Sequence, residues 1–306
     1  MAQFVLPVLF IILWSSAFVA GKAGVQYATP FAFLAARFII VALIFSWVSI
    51  AVHFWRQRGK PTSTPNAKQG AAGKNTLVLT ALVGLLLHGF YLGSTFLAMS
   101  LGLGAALAAL VASMQPLLTT ALAILLFGEK PLMIQWAGIL LGFAGVVVVL
   151  SPSLGVTAPP VAVMICVVGL ISITMGTLLQ KRIGGSISLL KSNIIQAVAA
   201  SLFFLMLIST VETPHIAWAP AFMFALAWQV LAVSTGAYVI LMILINRDSV
   251  AATTSLMFLV PPVTAIIAFF IFGEPLTAVT VTGFLTASTG VYLVTRYAAR
   301  PKAGYR

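Results

Sequence analysis

Acidic residues are scarce in this sequence. Four Asp and Glu stand against 16 Lys and Arg in 306 residues, and charged residues make up 7% of the chain. A soluble domain is typically about a quarter charged. A soluble fold of this size has too much surface to be covered by so few polar groups, so a soluble enzyme and a disordered chain are excluded. One cysteine, Cys166, excludes an internal disulfide and a cysteine-type metal site. No G-x-x-x-x-G-K nucleotide loop occurs, so ATP is not expected to drive the protein. Three histidines and four acids are scattered along the chain. They supply neither a metal cluster nor an acid–base pair, so no cofactor, metal or catalytic residue is expected.

What the sequence does have is long apolar runs. Hydrophobic residues make up 61% and the mean hydropathy is +1.15. The runs are continuous rather than alternating, which argues for helices and against a barrel. About 20 apolar residues cross a bilayer as a helix. On that rule ten spans are expected, at 4–21, 30–52, 76–99, 105–127, 133–150, 160–180, 187–209, 220–245, 251–272 and 277–295. The first run has no preceding Lys or Arg and no A-x-A site, so it reads as a span rather than a signal peptide.

Charge in the connections sets the expected orientation. With the N-terminus inside, Arg56, Arg58, Lys60, Lys68, Lys74, Lys130, Lys181, Arg182, Lys191, Arg247, Arg296, Arg300, Lys302 and Arg306 fall on the inner side. Only Lys22 falls outside, and Arg37 lies within a span. The net charge of +12 is therefore read as positive-inside topology, with both termini cytoplasmic, and not as nucleic-acid binding. The expected surroundings are a lipid bilayer.

A shift of 145 residues aligns two parts of the chain. Pro116, Phe127, Gly128, Glu129, Gly138 and Gly145 fall on Pro261, Phe272, Gly273, Glu274, Gly283 and Gly290. Two units follow, 1–150 and 151–306, the second with a basic tail. Each holds five spans, an odd number, so the second is inverted relative to the first. The expected fold is an all-α membrane protein of ten transmembrane helices in two inverted five-helix repeats. Inverted repeats with interrupted helices are a transporter architecture, with the substrate near the midplane.

Trp14-Ser15-Ser16-Ala17-Phe18, Arg37-Phe38 and the two P-x12-E stretches ending in F-G-E resemble the drug/metabolite transporter superfamily, in particular its EamA-type ten-helix transporters. The resemblance spans essentially the whole chain. Ser15 departs from the Gly usual after the Trp of span 1. The nearest likeness is to bacterial inner-membrane amino-acid exporters, including those for aromatic amino acids. That resemblance implies a multi-pass protein of the bacterial inner (plasma) membrane with a small-molecule substrate.

Candidate substrate-binding residues lie on helical stripes. In span 3, His88, Tyr91 and Thr95 at i, i+3 and i+7 share one face, extended by Gly84. They could line a cavity, or bond to neighbouring helices at about 1 kcal/mol per bond. In span 8, Ser234, Tyr238 and Met242 recur every four residues, with Trp228 beyond them. Trp14 lies near the middle of span 1, beside Ser15. Gln115 precedes Pro116 in span 4, and Met175 accompanies Ser172, Gly176 and Gln180 in span 6. Met is flexible and polarizable and suits varied ligands, though packing explains it as well. Pro116, Pro261 and Pro262 should interrupt spans 4 and 9 as hinges. Arg37 could attract a substrate carboxylate, or snorkel or bond helix-end carbonyls. Glu129 and Glu274 are expected to cap helix junctions.

The expected function is export of small amphipathic metabolites, neutral or aromatic amino acids foremost, by alternating access in a single chain acting as a monomer. None of the four acids falls in mid-span, and proton-driven pumps usually keep one there. Facilitated movement is therefore expected. A proton-coupled exporter of drugs or other metabolites with this fold is the alternative, and a membrane-embedded lipid-modifying enzyme is a distant second.

Overall fold

The computed structural model describes residues 2–58, 73–127, 132–150, 159–183, 187–247 and 256–298. Gly128, Glu129, Lys130, Asp248 and the basic residues Lys60, Lys68, Arg300, Lys302 and Arg306 lie outside them. Among the described residues the chain is helical, with one isolated antiparallel bridge between Ala28 and Ile216. In a bilayer each spanning segment must satisfy its own backbone, which a helix does.

Ten helical segments follow in order. They are α1 Ala2–Gly24, α2 Pro30–Arg58, α3 Lys74–Ser100, α4 105–127, α5 Met133–Leu150, α6 Pro160–Ile183, α7 Leu189–Thr210, α8 220–247, α9 256–272 and α10 Ala278–Ala298. Six of them, α1, α2, α3, α6, α7 and α8, contain stretches long and apolar enough to cross a membrane. The other four hold shorter apolar stretches. α2 runs on to Arg58, past the expected end at 52. Nothing breaks it before Gly59 and Pro61, and its last turns carry arginines that suit an aqueous interface. The prolines mark internal boundaries. α4 stops at Ser113 and restarts as Gln115–Phe127, with Pro116 in the new first turn. α9 changes from the 3-10 turn Leu256–Leu259 to the α-helix Val260–Phe272, with Pro261 and Pro262 in its first turn. Proline lacks an N–H and is tolerated where a helix starts.

Two other helices change winding. Leu85–Phe90 in α3 and Trp228–Ala237 in α8 are π-helical. These boundaries recur at the shift seen in the sequence. Adding 145 to 115–127 gives 260–272, adding it to 133 gives 278, and adding it to 85–90 gives 230–235, within the α8 stretch.

The first piece of α4 is enclosed on all sides, since every residue from Ala105 to Val111 is buried. Its alanines let α1, α6 and α9 approach it. The largest packed rings among the described residues are Phe10, Phe33, Phe204 and Phe222, with Phe33 lying 5.4 Å from Phe96 and 5.5 Å from Phe222. Trp47, Leu43, Phe224 and Phe270 point outward, as lipid-facing residues do.

α5 and α10 pack antiparallel along a glycine seam. A Cβ on Gly138 would meet the Gly290 carbonyl at 2.8 Å, and one on Gly290 the Gly138 carbonyl at 2.5 Å. Gly145 and Gly283 repeat the relation, at 2.6 Å and 2.9 Å. The shift of 145 converts the first pair into the second. The G-x-x-x-G at Gly138 and Gly142 is thus used within the chain.

One end of the bundle is knitted together. The Glu212 carboxylate accepts hydrogen bonds from the Phe31 and Ala32 amides, at 3.1 and 3.0 Å, in the first turn of α2. Thr29 N–H donates to the His215 carbonyl and Ala217 N–H to the Tyr27 carbonyl, beside the Ala28–Ile216 bridge. At the same end Glu274 accepts from Lys22 Nζ at 2.6 Å and from the Ala105 amide at 3.0 Å. Glu274 sits at a helix junction, and the helix it caps is α4, at whose N-terminus four amides lack helical partners.

Candidate functional site

Polar side chains inside the bundle concentrate where α2, α3, α6, α7 and α8 meet. Arg37 is about two turns into α2 and buried. Its Nε and Nη2 both donate to Ser234 Oγ on α8, at 3.2 and 3.0 Å. The guanidinium also lies 5.4 Å from the Phe38 ring centre. Phe38 packs on His88 of α3, with ring centres 5.0 Å apart. Gly84, one turn before His88 on α3, packs against the Gln196 backbone of α7, and Tyr91 lies one turn after His88.

From Gln196 the network spreads. Its Nε2 donates to Gln180 Oε1 on α6 at 2.9 Å and to Ser192 Oγ at 2.8 Å. Asn193 Nδ2 donates to the Tyr238 hydroxyl of α8 at 2.8 Å. Ser192, Asn193 and Gln196 were missed from the sequence. The signal was present, since polar residues at i, i+1 and i+4 in an apolar run share a helix face.

The expected site residues divide into those the cluster holds and those it does not. His88, Tyr91, Ser234 and Tyr238 belong to it. Thr95 does not follow His88. It is buried, back-bonded to the Tyr91 carbonyl at 2.7 Å, and faces Gly169 of α6. Gly84 packs against the Gln196 backbone of α7. The π turn at 85–90 takes up an extra residue, so a stripe drawn at 3.6 residues per turn drifts onto another helix.

Trp14 packs on Phe10 at 5.5 Å and, with Met257 and Val263, fills the seam between α1 and α9. Ser15 is fully buried, donating to the Val260 carbonyl beside Pro261 at 3.3 Å. Thr264 donates to the Ser15 carbonyl at 3.3 Å in turn, so α1 and α9 are tied at the proline turn. Gln115 donates to Thr177 Oγ1 at 2.8 Å, joining α4 to α6. Met175 is exposed, on the stripe of Met164, Val168 and Ile171 that faces away from the bundle. Trp228 donates to Ser16 Oγ at 2.8 Å. Its ring borders a shallow apolar groove of about 420 Å³ with Phe224, Ala227, Leu231 and Ala232.

A buried arginine, an imidazole, amides and phenols at helix interfaces of a membrane bundle can hold a small polar solute. The class of protein is then given by comparison. Residues 3–151 match the model of the EamA-like transporter family. That match covers just under half of the chain, and with the apolar helices it supports a multi-pass membrane protein similar to the transporters of that family. The chain is similar to the uncharacterized transporter YvbV of Bacillus subtilis (strain 168), at 23% identity over 295 residues, covering 96% of this chain and 91% of that protein. The fold is shared with a crystal structure of 19% identity and TM-score 0.63, covering 98% of this chain and 99% of the other.

Proposed function

We propose that the protein exports small amphipathic metabolites, neutral or aromatic amino acids foremost, by facilitated alternating access across a bacterial inner membrane. Both termini lie in the cytoplasm, a single chain carries out the cycle, and two inverted five-helix repeats rock about the cluster. The observation that carries this reading is the polar cluster of Arg37, His88, Gln196, Ser234 and Tyr238 between helices of both halves. The π turns in α3 and α8, related by the 145-residue shift, support it. Such irregular turns are frequent at functional sites and let a helix rewind. The prolines of α4 and α9 serve as the hinges, again as a related pair.

The test is efflux from liposomes holding the purified protein and one labelled amino acid at a time, with and without a pH gradient. Saturable efflux of aromatic or neutral amino acids, unaffected by the gradient, is expected. Efflux that requires the gradient would replace facilitation by proton coupling. Absence of amino-acid efflux would remove the substrate class and leave the transporter.

A further inference from the structure

Among the described residues the charge balance inside the bundle does not close. Among the described residues the only ion pair is Lys22–Glu274, at one end. Glu212, the other described acid, is spent on the first turn of α2. Glu129 and Asp248 fall in sequence just beyond the ends of α4 and α8. Arg37 sits inside the bundle, about 10 Å along α2 from Pro30 at 1.5 Å per residue. Its two hydrogen bonds converge on one neutral oxygen, although a guanidinium has five N–H groups in a fixed fork. A buried cation held by a lone hydroxyl is poorly compensated, and such a charge within a membrane marks a functional position by default.

We infer that Arg37 is the anchor for a substrate carboxylate, and that Ser234 is the resting partner the carboxylate displaces or joins. The inference rests on the transporter reading and names the ligand's defining group. One fixed positive charge matches a monoanion, and a carboxylate takes the guanidinium fork through two parallel bonds. A phosphate, at about −1.5 to −2, would leave the site anionic. Phe38 beside the guanidinium, with His88 packed on it, offers ring surface to an apolar or aromatic side chain.

The experiment is ligand-dependent thermal stabilisation of the protein in nanodiscs. The probes are phenylalanine, phenylalaninamide, 3-phenylpropanoate and phenethylamine. Wild type should be stabilised by the two carboxylates and not by the amide or amine. Arg37→Gln should weaken carboxylate binding by about tenfold or more, and Arg37→Lys should recover part of it. Ser234→Ala, which keeps the charge, should bind carboxylates at least as tightly as wild type. Equal stabilisation by acid and amide overturns the inference, as does unaltered carboxylate binding by Arg37→Gln or no response to any probe. If Arg37→Gln does not fold, the acid–amide comparison on wild type still decides. Binding of 3-phenylpropanoate without amino-acid efflux leaves the anchor standing and removes the amino-acid reading. Amino-acid efflux unchanged by Arg37→Gln does the reverse.

Discussion

Each described acid in this chain satisfies amides at a helix start far away in sequence. Glu212 follows α7 and caps α2, and Glu274 follows α9 and caps α4. A carboxylate at a helix N-terminus answers both the free N–H groups and the positive end of the dipole. Gly104 permits the second contact, since a Cβ there would sit 3.0 Å from a Glu274 oxygen. Replacing Glu212 by Ala should therefore lower stability by about 1 kcal/mol, in line with lost caps elsewhere. A lower melting temperature in detergent, with Glu212→Gln intermediate, checks this. The sequence places these acids at span ends but does not show which helix start each one caps. A cap formed across some 170 residues leaves no local pattern to read. The same limit hid Gln196, whose amide reaches Gln180 on another helix.

Helices were the most legible level. Apolar runs end at Gly and Pro because those residues break the backbone pattern, so boundaries such as Pro30, Pro160 and Pro220 stood out. The π turns did not, because one extra residue in a turn changes no composition. That is why Thr95 was grouped with His88 yet faces α6. The glycine repeat was legible as a pattern, and the structure supplies its reason. Gly138, Gly145, Gly283 and Gly290 recur because the backbones of α5 and α10 touch there. Gly290→Ala should push these helices apart, as its Cβ would overlap the Gly142 amide and lie 2.5 Å from the Gly138 carbonyl. A loss of about 1–3 kcal/mol is expected from such overpacking. Gly73→Ala, with nothing within 4 Å, is the control and should leave the melting temperature unchanged. Equal melting of the two variants would mean that the seam relaxes freely.

At the scale of the whole molecule, helix pairs between the halves map onto one another. α2 packs on α7, α4 on α9 and α5 on α10, while α1 on α8 has its counterpart in α3 on α6. On the proposed repeat these pairs exchange under the 145-residue shift, which the sequence carries strongly in its later spans and weakly in its early ones. It also frames how the proposed cycle would work. On the proposed orientation, the knitted end of the bundle is the outer end. There the Lys22–Glu274 pair binds α1 and α4 of one half to α9 of the other, and Glu212 binds α7 to α2. A partly exposed ion pair contributes about 0–1 kcal/mol, weak enough to part and re-form in a cycle. If the outer ends must separate for release, a covalent bridge between positions 22 and 274 should stop turnover. Lys22→Cys with Glu274→Cys, joined by a short bis-methanethiosulfonate cross-linker whose disulfides form with loss of sulfinate, makes that bridge, and the native Cys166 is buried away from reagent. Bridged protein in liposomes should lose efflux, and reduction should restore it, whereas each single variant should retain efflux after the same treatment. Full efflux from the bridged protein would mean that α1 and α9 stay together throughout. The path to the outer side would then have to open elsewhere, and the α2–α7 cap at Glu212 would be the next contact to bridge.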